Sequence, residues 1–295
     1  MSAVSLTPES SAPDRWWRHR AVQRFLRHRL ALIGLAMILV LGAACIFGPM
    51  LLPFDDLFID LRARFAPPLT GAHWFGTDPL GRDLAARLFM AGRISLLVGF
   101  MAMLTSTVIG SVVGVIAGYR GGLVGMVLMR FVDAILSFPS LFLLLALAAF
   151  IKPSPAMITI IIAVTSWTEI ARIVEAEVRS LRDRDFVLAA RMLGLSRRSI
   201  MVHELLPNVA GPIIVAATLT VARAILLEAY VSFLGYGIQP PVPSWGNMLN
   251  GAQQYLANAP WLAIVPGVAI TMAVTAFNFI GDGLRDALDV RSELD

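Results

Sequence analysis

From Leu30 to Leu52 the chain runs for 23 residues without a charged side chain, and this run limits what the rest can fold into. A helix of that length, rising about 1.5 Å per residue, crosses a hydrocarbon core of about 30 Å. Further apolar runs follow at about Ile94–Gly118, Leu123–Phe150 (interrupted by Pro139), Ala156–Ile173, Val209–Phe233 and Pro260–Ile280. The expectation is an all-α polytopic membrane protein with six transmembrane helices and both termini on the cytoplasmic side. A composition of 57% hydrophobic and 15% charged residues, with a mean hydropathy of +0.74, excludes one or two soluble domains. A cleaved signal peptide, or lipid attachment at Cys45, would need an apolar core of about 7 to 15 residues. The first run exceeds that and continues past Cys45, so the helix is read as uncleaved.

The charges give the orientation. Residues 1–14 are rich in Ser, Pro and Ala and read as a disordered tail. Six arginines and two tryptophans between Arg15 and Arg29 read as an interfacial segment held at the cytoplasmic face. The single cysteine permits neither a disulfide framework nor a cysteine metal site. A basic balance without interleaved aromatics points to topology rather than to nucleic acid. The loop from 53 to 93 holds five arginines, against the positive-inside trend, and although Asp55, Asp56, Asp60, Asp78 and Asp83 balance the formal charge, that rule counts cations; continuity with the helices on either side places the loop outside. There Asp78 followed by Pro79 predicts an N-cap and a short amphipathic helix towards Ala91. Gly110 and Gly114 form a G-x-x-x-G face for close helix packing.

One interval must be aqueous. Eleven ionisable side chains lie between Arg172 and Arg198, and at about 2.5 to 3.5 kcal/mol each near the bilayer centre they forbid a span. Within it, Ala189 and Ala190 end a helix-favouring run, Gly194 can close that helix in the left-handed conformation, and Ser196 can cap a second helix. The two alanines and the glycine make a small-residue corner that another protein could approach closely. On spacing alone, an ordinary cytoplasmic loop explains this interval equally well.

The spacing A-A-x-x-x-G, then nine residues, then E-L-L-P at 204–207 resembles the signature of the integral-membrane subunits of bacterial ABC importers. It departs at Leu188, where the signature has Glu, and at Glu204, where it has Ile. Four stretches in matching order, at 75–99, 130–143, 189–208 and 227–249, are similar to the dipeptide/oligopeptide/nickel importer family, specifically its second, C-type permease.

The resemblance implies a type I importer fold in the bacterial inner membrane, and a division of the chain to match. Residues 1–29 would be a cytoplasmic segment, and 30–92 the first helix with a periplasmic loop. Residues 93–286 would be the importer transmembrane domain, with five core helices and a docking loop at about 174–208, and 287–295 a cytoplasmic tail. It implies partners as well: a homologous B-type permease, two ATPase subunits below and a substrate-binding protein outside, all in membrane lipid. Ala189, Ala190, Gly194, Leu195, Ser196, Leu206 and Pro207 would dock the ATPase. No G-x-x-x-x-G-K-[ST] loop occurs in the chain. ATP and Mg would therefore belong to the partners, and this chain would carry no cofactor, metal or catalytic residue of its own.

Asp133, Arg223 and Glu228 lie at membrane depth and are candidates for the translocation path or the permease interface. Arg223 and Glu228 are five apart, about 500° round a helix, and do not align for mutual pairing. Gln239, Pro240, Pro241 and Trp245 form a rigid turn with an interfacial tryptophan, a candidate for binding-protein docking or a gate. His73 and His203 stand alone and read as surface or interface residues. Peptide import leads, with nickel-chelate or antimicrobial-peptide uptake by the same architecture as alternatives. An ion-coupled secondary transporter is the reading from another class, and the chain lacks the internal repeat such a fold would show.

Overall fold

The computed structural model describes residues 22–152 and 154–288. The tail at 1–14, residues 15–21 of the arginine-rich segment and residues 289–295 of the C-terminal tail lie outside the described residues. Among the described residues the regular structure is helical, apart from two isolated bridges at Thr70–His73 and Thr77–Asp83. Among the described residues, nine helices carry the fold: α1 Arg29–Leu51, α2 Leu84–Arg120, α3 Gly122–Leu136, α4 Ser140–Ala149, α5 Pro155–Leu181, α6 Asp185–Met192, α7 Ala210–Phe233, α8 Trp245–Ala252 and α9 Trp261–Leu288. Of these, α1, α2, α5, α7 and α9 are long and apolar enough to cross a membrane. The pair α3 and α4, bent by 80° at Pro139, makes a sixth candidate if it counts as one span.

The short helix expected from Pro79 and the second span are one 37-residue helix, α2. Its N-cap is Asp83, whose side chain accepts from Ala86 N at 2.8 Å. Asp78 serves the loop instead, accepting from the amides of Leu80 at 2.8 Å and Arg82 at 3.0 Å. An aspartate before a proline fits a side-chain-stabilised turn as well as a helix start, and here the turn has prevailed.

Lipid offers helices no hydrophobic reward for meeting, so close packing of small residues joins them. Gly110, Gly114 and Gly118 lie four apart on α2 and face α5. A Cβ on Gly110 would come within 2.6 Å of Trp167 O, on Gly114 within 2.6 Å of Ala171 O, and on Gly118 within 2.8 Å of Glu175 O. The expected G-x-x-x-G face is thus one glycine longer and meets α5. Gly99, higher on α2, meets Ile225 of α7. Around this axis α1, α2, α7, α8 and α9 share one core built on Leu41, Leu88, Ile225, Trp245 and Ile270.

Four of the five arginines expected in the outer loop hold the chain together. Arg64 donates to Pro79 O at 2.7 Å. Arg82 pairs with Asp78 at 2.6 Å, and Arg87 approaches the same carboxylate at 3.7 Å. Pro49, inside α1, has no N–H to offer the carbonyl four residues earlier. Arg93 of α2 supplies the missing donor, with Nε 2.7 Å from Cys45 O and Nη2 2.6 Å from Ile46 O.

Candidate functional site

The charged interval folds as a helix, a turn and a second helical piece. α6 ends at Met192; Leu195 N donates to Ala190 O at 3.1 Å and Gly194 N to Arg191 O at 3.0 Å, the paired bonds of a Schellman ending. That ending needs a left-handed residue, and Gly194 has φ +76°. Ser196 then caps the next turn, accepting from Ser199 N at 3.2 Å. Residues 200–205 widen into a π-helix, and Leu206 N reaches back to Met201 O. Pro207 lies in the short helix Leu206–Asn208, and the next span runs from Ala210 to Phe233. The whole segment is seated by Val187, Ala190, Ile200 and Leu205, which pack under Val115 and Tyr119 of α2 and Val174 and Val178 of α5.

This seating corrects the expected small-residue corner. Ala190 faces inward and is buried, so only Ala189 and Gly194 of that trio remain at the surface. Beside them stand Met192, 88% exposed, and Leu193, 80% exposed. Sequence reasoning passed over both, although adjacent apolar residues inside a charged segment are the signal that would have found them. Leu195, Ser196, Leu206 and Pro207 are all exposed.

The membrane-depth charges separate into two kinds. Glu228 is fully buried within this chain. Its carboxylate accepts from Ser95 Oγ at 2.8 Å and Ser232 Oγ at 2.7 Å. Ser95 Oγ also accepts from Trp245 N at 3.3 Å, so the cluster ties α2, α7 and the start of α8. Glu228 is thus enclosed by its own chain. Arg223, by contrast, is exposed and pairs with Glu169 of α5, and Asp133 pairs with Arg172 of α5 and Arg130 of α3. Glu169 and Arg172 were missed because they sit at the end of a long apolar run. Their three-residue spacing and opposite signs were visible there.

The turn after α7 is likewise divided. Gln239, Pro240 and Pro241 are exposed, and Gln239 Nε2 donates to Gly235 O at 2.7 Å. Trp245, expected at the interface, is buried and donates from Nε1 to Leu88 O at 3.1 Å. Indole nitrogen can lie this deep only with such an acceptor. A capping box between Ser244 and Asn247 starts α8 inside the interval expected as a loop. Of the two lone histidines, His73 Nδ1 lies 2.8 Å from Asp83 Oδ2 with its ring stacked on Phe54, and His203 lies at the surface near Ser199.

An all-helical bundle of five or six membrane-crossing elements, with an aqueous helix-turn-helix segment at one end, is the architecture of a polytopic membrane protein. Comparison with known proteins makes this specific. Residues 110–293 match the family described as binding-protein-dependent transport system inner membrane component. Residues 16–68 match the N-terminal transmembrane domain of oligopeptide transport permease C. The dipeptide transport system permease protein DppC of Alkalihalophilus pseudofirmus is 39% identical over 292 residues, covering 96% of this chain and 95% of the relative. The oligopeptide transport system permease protein OppC of Haemophilus influenzae is 40% identical over 271 residues, covering 91% and 87%. DppC of Bacillus subtilis is 39% identical over 278 residues, covering 94% and 87%. The chain belongs to the binding-protein-dependent inner membrane components, the permease subunits of ABC importers, and within them to the C-type permeases of the dipeptide/oligopeptide branch.

Proposed function

We propose that this chain is one of two permease subunits of an ATP-driven importer for di- or oligopeptides, forming half of the translocation path in a bacterial inner membrane. The carrying observation is the docking segment: a helix closed by Gly194, seated on α2 and α5, presenting Ala189, Met192 and Leu193 outward. A surface of one small and two large apolar residues inside a charged loop suits insertion into a groove of an ATPase subunit. Relatives named as dipeptide and oligopeptide permeases, covered along most of their length, support the cargo class. On this reading the fold is that of a type I importer and both termini are cytoplasmic. The segment Glu175–Asn208 lies in the cytoplasm, and the turn at Gln239–Pro241 faces the external binding protein.

The mechanism rests on differential binding. ATP favours a closed ATPase dimer, and the docking segment moves with the surface that holds it. Because Val187, Ala190, Ile200 and Leu205 are packed against α2 and α5, that displacement is delivered to the two most closely packed helices of the bundle. The path then opens outward, and hydrolysis on the partner subunits resets it. This chain shifts a conformational equilibrium and makes or breaks no covalent bond.

Affinity purification of the tagged chain from its native membrane in mild detergent tests the reading. A second permease and one or two phosphate-loop ATPases should copurify. ATPase recovery should fall at least about tenfold in Leu193→Glu, because burying an unpaired carboxylate in an apolar groove costs more than about 1.4 kcal/mol. Wild-type chain recovered alone and stable would refute the importer assignment.

A further inference from the structure

Five charged side chains lie in a row across three helices. Arg223 of α7 pairs with Glu169 of α5, and Arg172, one turn along α5, pairs with Asp133 of α3, which also lies 3.8 Å from Arg130. Their signs alternate along the row. All five face out of the chain: Arg223 and Glu169 are 54% and 49% exposed, Arg172 and Asp133 56% and 36%, and Arg130 79%. Arg223 stands 13 residues beyond Ala210, about 20 Å along α7 at about 1.5 Å per residue, within a helix long and apolar enough to cross a membrane. Exposed charges at that depth cannot be left against lipid and are found facing a bundle interior or a water-filled cavity. Around Arg223, α7 continues the same face with Leu219 one turn before and Tyr230 two turns after, both exposed.

We infer that this row is the wall of the cargo path and that it takes zwitterionic cargo, the free ammonium and carboxylate ends of a short peptide, by exchanging its own ion pairs for cargo pairs. Alternating signs offer partners for both ends of a peptide whatever its side chains, and each rung left by the cargo closes on its neighbour. A wall of one sign would trap an anion or a cation, and an apolar wall would leave both peptide ends unsolvated. The inference rests on the peptide-importer reading above.

The test uses the assembled importer, with its sister permease, ATPases and binding protein, in proteoliposomes loaded with ATP. Uptake of a labelled free dipeptide is compared with uptake of its N-acetyl amide. Glu169→Ala should lower free-dipeptide uptake about tenfold or more while the complex is recovered at wild-type yield. The charge exchange E169R/R223E should restore a large part of it. Separately, E169C in a Cys45→Ser background should react with a bulky water-soluble thiol reagent. Loss of the sister permease on purification of Glu169→Ala would instead place the row at a subunit interface and overturn the inference. So would unchanged uptake, or a thiol at position 169 that never reacts. If the wild-type complex imports no peptide at all, the function reading fails; thiol labelling at position 169 still reports whether the row faces water.

Discussion

Removing the Arg93 guanidinium should expose the gap that Pro49 leaves in α1. In Arg93→Met the Cys45 carbonyl has neither the amide that a proline cannot supply nor the 2.7 Å bond from Nε. Ile46 O loses its 2.6 Å bond from Nη2 and keeps its place in the helical ladder. A hydrogen bond to a charged donor contributes about 1.5 to 3 kcal/mol, and an orphaned buried acceptor costs about 1 to 3 kcal/mol, so the variant should lose about 2 to 3 kcal/mol. The discriminating measurement is a double-mutant cycle with Pro49→Ala, which restores an N–H at position 49. In that background Arg93→Met should cost about 1 to 2 kcal/mol less, a coupling in the range expected for groups in direct contact. Stabilities are read from reversible SDS titration of the purified chain in mixed micelles. Equal losses in the two backgrounds would show that the guanidinium is not filling the proline gap.

Gly114→Ala should destabilise the bundle by about 1 to 3 kcal/mol, the usual penalty of overpacking, because its Cβ would lie 2.6 Å from Ala171 O and 2.7 Å from Val174 Cβ. Gly42→Ala, with nothing within 4 Å, is the control, and equal melting of the two variants in detergent would refute the packing account. Gly194→Ala also meets nothing within 4 Å, so its cost is the left-handed backbone alone, about 1 to 2 kcal/mol. It should raise amide exchange across 185–196 and leave the spans protected, and unchanged exchange there would contradict the Schellman geometry.

Five of the six expected spans were legible in the sequence because membrane crossing is decided by run length and charge, which are local, whereas the third is a pair of helices bent by 80°. The first helix is expected at Leu30–Leu52 and is found at Arg29–Leu51. Gly194 and Ser196 were legible for a similar reason: left-handed closure and capping are properties of one or two residues. What could not be read is direction. Ala189 and Ala190 are indistinguishable as letters, and only the rotation of α6 against α2 and α5 turns one outward and buries the other. Trp245 and Glu228 misled in the same way. Both are polar enough to suggest a surface, and each is enclosed because Leu88 O and the Ser95 and Ser232 hydroxyls wait for it at positions 157, 133 and 4 residues away. The ion pairs from Arg223 to Glu169 and from Asp133 to Arg172 join different helices, so no local spacing announced them.

The length of α2 has a consequence of its own. Thirty-seven residues make a rod of about 55 Å at about 1.5 Å per residue, fastened at one end by the Asp83 cap and at the other by Tyr119 under the docking segment. Its two ends therefore share one rotational phase. One residue inserted halfway would turn the Tyr119 end by about 100° against the Asp83 end, taking Gly110, Gly114 and Gly118 off the α5 seam. The residue count of this helix is as fixed as the tooth count of a gear.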